Sequence, residues 1–173
     1  MYKIINERRV HFSHAAAASP AAPVRFGIVA DIHKDVMHDA DERLTRFIDR
    51  MQEVKPDFIL QLGDFCTPAP QNRQFLAIWD RFRGPRHHVL GNHDMDGDQT
   101  KGPDKKYNFT REETMAYWGM PARYYSFDLG GLHFVILDGN DPGPEQKPYY
   151  HYLGDEQLTW LERVLWRSLR SAI

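Results

Sequence analysis

Three short apolar runs, each ending in a cluster of metal-capable side chains, constrain this chain more than any other feature. Phe26-Gly27-Ile28-Val29-Ala30 runs into Asp31-Ile32-His33. Phe58-Ile59-Leu60-Gln61-Leu62 runs into Gly63-Asp64, and His88-Val89-Leu90 runs into Gly91-Asn92-His93-Asp94. One such run means little. Three at intervals of about thirty residues suggest strands whose carboxyl ends converge on one site, where open α/β sheets place their chemistry.

The segments between the runs agree. Val24 to Ala30 reads as a buried strand with β-branched Val24, Ile28 and Val29. Ala40, Leu44, Phe47, Ile48 and Met51 recur at helical spacing between charged residues and predict an amphipathic helix. It stops before Lys55-Pro56, because the residue preceding proline avoids the α region. Asp57 to Leu62 is the second strand, Gln71 to Phe82 a second helix, and 86–90 the third strand. A β-α-β-α-β order implies a parallel sheet covered by helices.

The polar stretch 95–109 is long enough to line or cover a site. A helix follows near Thr110 to Trp118, with Thr110 and Glu113 spaced as a capping box. The period then changes to two. Tyr124 to Leu129 and Leu132 to Leu137 flank Gly130-Gly131 and predict a hairpin with a two-residue turn. Asp138 to Tyr152 reads as a loop, and Gly154 to Leu169 as a last helix with Leu158, Leu161, Val164, Leu165 and Leu169 apolar.

Composition narrows the function. With 173 residues, 42% hydrophobic and 27% charged, the chain suits one folded domain. A net charge of −2 gives no general drive toward nucleic acid or an anionic membrane. No apolar run approaches the roughly 20 residues that span a bilayer. A single cysteine, Cys66, forms no intrachain disulfide. Residues 1–23 are set apart from the fold as a flexible tail or leader remnant. The small-residue stretch 14–23 resembles a signal-peptidase region, but no apolar segment precedes it. The expected compartment is cytoplasmic, with export the alternative.

The candidate ligands are Asp31, His33, Asp64 and Asn92, with His93 and Asp94 as candidate catalytic residues. An O/N donor set without thiolate suits Mn, Fe, Zn or Ni. On an extended strand the side chains of Asp31 and His33 share a face and chelate one ion. Asp64 has two oxygens with which to bridge two ions, and Asn92 offers a neutral carbonyl oxygen. His93, displaced from the metal, points toward substrate. Two ions about 3.5–4 Å apart clamp a phosphoryl group and activate a bridging water.

Asp31-x-His33, Gly63-Asp64 and Gly91-Asn92-His93-Asp94, in that order, resemble the signature of the calcineurin-like metallophosphoesterases, over residues 24 to about 165. The resemblance implies an α/β fold, a β-sandwich flanked by helices in αββα layers. It also implies a dinuclear centre in which a metal-bound hydroxide attacks a phosphomonoester, phosphodiester or diphosphate. Asp31 and His33 would bind the first ion, Asp64 would bridge, and Asn92 would bind the second. His93 would protonate the leaving group or stabilise the phosphoryl oxygens, with Asp94 orienting its ring. The expected partner is a small phosphorylated substrate, with a nucleotide-type ester or diphosphate as one option.

The family pattern continues with a further histidine and a Gly-His-x-His segment. Eleven residues follow Glu162, none of them histidine, and the last histidine is His151. The resemblance therefore implies an incomplete domain over 24–173, truncated at its C-terminus. Weakened metal affinity, poor turnover, and self-association through a truncated sheet edge are expected. The rival reading is a non-catalytic or partner-requiring fragment. A nucleotide-binding module is disfavoured, since neither Gly-x-x-x-x-Gly-Lys nor Gly-x-Gly-x-x-Gly occurs.

The remaining candidates have bland readings. His87 and His88 point to opposite faces of a strand, and His133 is structural within the hairpin. Cys66 is a small buried filler. Asp96, Asp98 and Asp104 are solvated loop charges, and Tyr149, Tyr150 and Tyr152 pack. His38, Asp39 and His151 are secondary candidates for lining a cleft.

Overall fold

The computed structural model describes residues 23–96, 109–141 and 152–171. Strands β1 (Phe26–Val29), β2 (Phe58–Gln61) and β3 (Arg86–His88) form a parallel sheet in the order β1-β2-β3. Phe26 pairs with Phe58 and Ile59 with Arg86, so the three carboxyl ends lie at one edge.

Helix α1 (Ala40–Val54) joins β1 to β2. It buries Ala40, Leu44 and Ile48 completely, one residue per turn, and sends its acidic and basic side chains outward. It ends at Lys55, whose left-handed backbone returns its N–H to the Met51 carbonyl just ahead of Pro56.

The second connection is shorter than its sequence pattern predicts. A 3₁₀ turn, Pro70–Asn72, precedes helix α2 (Arg73–Trp79). Arg81 and Phe82 then bond back to Ile78 and Trp79, three residues earlier, so the last turn tightens and leaves the α-helix.

Alternation along the strands divides the molecule into two layers. On the helix side, Ile59, Phe65, Phe75, Trp79, Leu44 and Ile48 form the closed core. On the other side, Phe58 meets a two-stranded antiparallel sheet, β4 (Tyr125–Leu129) and β5 (Leu132–Ile136). Its ring stacks on Phe26 at 4.9 Å and meets Phe127 and Phe134 edge-on at 5.3 and 5.1 Å. Each such aromatic pair adds about 0.5–1.5 kcal/mol beyond its area. The hairpin turn needs its glycines, since Gly130 and Gly131 have φ of 58° and 78°. The expected sheet-on-sheet α/β architecture is therefore present.

The hairpin does not reach across the whole sheet. Phe26, Ile28 and Leu62, on the side of Phe58 by strand alternation, remain 43%, 49% and 46% exposed. At the opposite margin, the Tyr125 hydroxyl lies 3.3 Å from the His88 N–H and 3.4 Å from its carbonyl, covering the outer edge of β3.

Helix α3 (Arg111–Trp118) opens with the anticipated capping box. The Glu113 N–H donates to Thr110 Oγ1 at 3.1 Å, and the Thr110 N–H to Glu113 Oε2 at 2.7 Å. Helix α4 (Asp155–Ser171) keeps Leu158, Leu161 and Val164 only half-buried, and Leu165, of the same apolar set, is exposed. Among the described residues, no helix is long and apolar enough to cross a membrane.

Candidate metal centre

β1 and β2 both stop before their ligands. Asp31, His33 and Asp64 have φ of 54°, 53° and 51°, and Gly63 has φ of 99°. The expectation that Asp31 and His33 share a face of an extended strand is corrected: they lie on a tight left-handed turn. Such backbone costs roughly 1–2 kcal/mol per non-glycine residue, and persists where surrounding structure enforces it. Here two loops enforce it together. The N–H groups of Asp31, His33 and Lys34 donate to the carbonyls of Gly63, Asp64 and Phe65 at 3.2, 2.8 and 3.0 Å.

The result is convergence. His33 Nε2 stands 3.9 Å from Asp31 Oδ1 and 3.6 Å from Asp64 Oδ2. One ligand atom from each of the three lies within 4.8 Å of the others. Two carboxylates and an imidazole around one small space, without a thiolate, fit a divalent ion of the Mn, Fe or Zn type.

The third loop packs against the second through glycine. A Cβ on Gly63 would fall 2.7 Å from the Gly91 backbone, and one on Gly91 would overlap Asp64 N and Oδ1. The His93 N–H donates to Asp64 Oδ1 at 3.0 Å, so one oxygen of Asp64 holds the third loop while the other faces His33. Asn92 immediately precedes the 3₁₀ turn His93–Met95. The His33 and His93 rings lie 5.3 Å apart.

Asp94 does not orient His93, contrary to the role the family resemblance implies. It is completely buried. Its Oδ2 accepts from the N–H groups of Gly91 and Asp64 at 2.7 and 2.9 Å, and its Oδ1 from Phe65 at 2.6 Å. Burial pushes this carboxyl well above the usual carboxylate range, and the backbone N–H groups of Gly91, Phe65 and Asp64 offset only part of that rise. Asp96 takes the orienting position: its Oδ2 lies 2.5 Å from His93 Nδ1. The reading of Asp96 as a solvated charge is corrected.

Two groups escaped sequence reasoning. Asp35 accepts from Thr67 N, Thr67 Oγ1 and Asn72 Nδ2 at 2.8, 2.8 and 2.7 Å, tying the first loop to the second. Asp138 is fully buried between Arg111 and Arg123. Neither follows from local pattern, because their partners lie 15 to 37 residues away.

The other candidates divide as follows. His87 stacks on Phe127 at 3.9 Å, while His88 lies buried on the helix side against Trp118. Burial lowers His88 to about 3. His133 Nδ1 lies 2.6 Å from Asp128 Oδ1, directly across the hairpin. Cys66 is buried, which pushes its thiol up. Asp39 pairs with Arg43 at 3.1 Å, and His38 is exposed. Tyr152 joins Asn140 in an isolated bridge. Asp98, Asp104, Tyr149, Tyr150 and His151 lie outside the described residues.

A parallel sheet whose strand ends gather two carboxylates and an imidazole defines an α/β protein with a divalent-metal site. A model of the calcineurin-like phosphoesterase family matches residues 24–170. The crystal structure of a dimetal phosphatase from Danio rerio is similar in fold, with a TM-score of 0.60 and 19% identity. The similarity covers 87% of this chain and 66% of that one. No curated protein matches. The chain belongs to the calcineurin-like phosphoesterase family.

Proposed function

We propose that the protein is a metal-dependent phosphoesterase with a dinuclear centre. The observation that carries this reading is the convergence of Asp31, His33 and Asp64, all on left-handed backbone at adjacent strand ends. Asp31 and His33 would hold one ion, Asp64 would be shared, and Asn92 would serve the second. Bound ions supply Lewis-acid activation of water and of the phosphoryl group. The chain's own groups then divide the remaining work. His93, beside His33, donates a proton to the departing oxygen or a hydrogen bond to the phosphoryl group. Asp96 holds the His93 ring through Nδ1. Asp94 keeps the second and third loops together.

The substrate is a small phosphate ester or diphosphate, and nucleotide-type diesters and diphosphates are the class to test first. The test measures hydrolysis of p-nitrophenyl phosphate and bis(p-nitrophenyl) phosphate with added Mn²⁺, alongside calorimetry of Mn²⁺ uptake. Metal-dependent turnover that Asp64→Asn abolishes supports the reading. Turnover unaffected by Asp64→Asn would refute the shared-ligand role.

A second reading is favoured by the exposed Phe26, Ile28 and Leu62. In it the chain binds metal but needs a partner, or self-association, to cover that sheet face before it turns over substrate. Sedimentation distinguishes the two: activity in a monomer removes this alternative.

A further inference from the structure

The segment after β5 reaches back to the third metal loop. Asp138, buried at the end of β5, lies with Oδ2 3.2 Å from Arg111 Nε and 3.3 Å from Arg123 Nη1. Its backbone is clamped by Gln157 of α4. The Asp138 N–H donates to Gln157 Oε1, and Gln157 Nε2 donates to the Asp138 carbonyl, both at 2.8 Å. Arg111 of α3 and Arg123 ahead of β4 thus face the carboxylate, while Gln157 of α4 holds the backbone of the same residue.

The other oxygen of Asp138 orients Asn140. Oδ1 accepts from the Asn140 N–H and from Asn140 Nδ2, both at 2.9 Å. The same Nδ2 donates at 2.8 Å to the carbonyl of Leu90. Leu90 is buried and directly precedes Gly91-Asn92-His93. The same peptide group is held from its opposite side, since the Gly91 N–H donates to Asp94. Thr114 of α3 also approaches this loop, its hydroxyl lying 3.2 Å from both the Asp94 and the Thr110 carbonyls.

We infer that Asn140 is a positioning residue for the metal centre: oriented by Asp138, it grips the Leu90 carbonyl and sets where Asn92 and His93 stand relative to Asp64. This rests on the phosphoesterase reading for its consequence, though not for its geometry. A carboxamide is suited to the task because Nδ2 carries two N–H groups, one for Asp138 and one for Leu90. Aspartate in its place would present a second carboxylate to Asp138 and a lone pair to a carbonyl.

The test compares the metal-free full chain with Asn140→Ala, Asn140→Ser and Asn140→Asp by amide hydrogen exchange, then titrates each with Mn²⁺. Gly139→Ala serves as control, since its Cβ meets nothing within 4 Å. Exchange across 89–95 is expected to accelerate about 10-fold in the Asn140 variants, with 26–33 unchanged and Gly139→Ala like wild type. Affinity for the weaker Mn²⁺ should fall about 10-fold while the tighter one holds. Uniform acceleration across all strands, or unchanged exchange in both Asn140→Ala and Asn140→Ser, would overturn the inference. If wild type takes up no Mn²⁺, the phosphoesterase reading fails, and the exchange comparison still decides the role of Asn140.

Discussion

The ring Nδ1 of His93 stands 2.5 Å from Asp96 Oδ2, across a single 3₁₀ turn. Side chains three residues apart eclipse one another on a 3₁₀ turn. The turn therefore hands the histidine to Asp96 and sends Asp94 inward to the backbone. A carboxylate accepts, so Nδ1 carries a proton, and donation to the substrate oxygen requires a second proton on Nε2. Asp96→Ala should release that tautomer, visible as a change in the His93 ring ¹⁵N shifts, and lower phosphoester turnover about 10- to 100-fold with Mn²⁺ affinity unchanged. Unaltered ring shifts would refute the orienting role.

Asp94 carries structure more than chemistry. Asp94→Ala would leave the N–H groups of Gly91, Asp64 and Phe65 buried without their acceptor. Each such orphan costs about 1–3 kcal/mol, so a loss of at least about 3 kcal/mol is expected in urea unfolding. A loss under about 1 kcal/mol would show that the two loops do not depend on this carboxylate.

His88 makes the fold acid-sensitive. Gln61 Oε1 is occupied by the Gly63 N–H at 2.6 Å, so Gln61 Nε2 faces His88 Nδ1 at 3.1 Å and donates to it. Burial lowers His88 to about 3, against an ordinary value of 6.5. Between those pH values the unfolded chain binds a proton that the folded chain refuses, so stability is full above pH 6.5 and declines as pH falls. The slope from this group is about 1.4 kcal/mol per pH unit. His88→Phe should remove that slope between pH 6 and 4. Parallel pH profiles for wild type and variant would contradict it.

The left-handed backbone at Asp31 exchanges stability for function. Its side chain is 71% exposed, so removal costs little packing. Asp31→Gly should raise the metal-free unfolding free energy by about 0.5 kcal/mol, since glycine adopts positive φ freely. The same variant should lose Mn²⁺ uptake in calorimetry. A destabilised variant that still binds metal would show that neither strain nor ligation resides there.

Much of the layout was legible in local pattern. Five strands, four helices, the Thr110–Glu113 capping box and the Gly130-Gly131 turn follow from periods of two and 3.6 and from backbone chemistry. The strand-end clustering of Asp31, His33 and Asp64 was legible too, because parallel strands joined by helices place their carboxyl ends together. Local pattern reaches only two to four residues along the chain. It does not say which polar group a given carboxylate meets once loops 30 residues apart are stacked, as with Asp94 and Asp64. Tertiary structure alone decided that Asp31, His33 and Asp64 sit on left-handed turns, that Asp96 rather than Asp94 holds His93, and that Asn140 reaches Leu90, 50 residues away. The sequence by itself determined which residues gather. Packing decided their partners, because a buried polar group must take the donor or acceptor that folding brings to it.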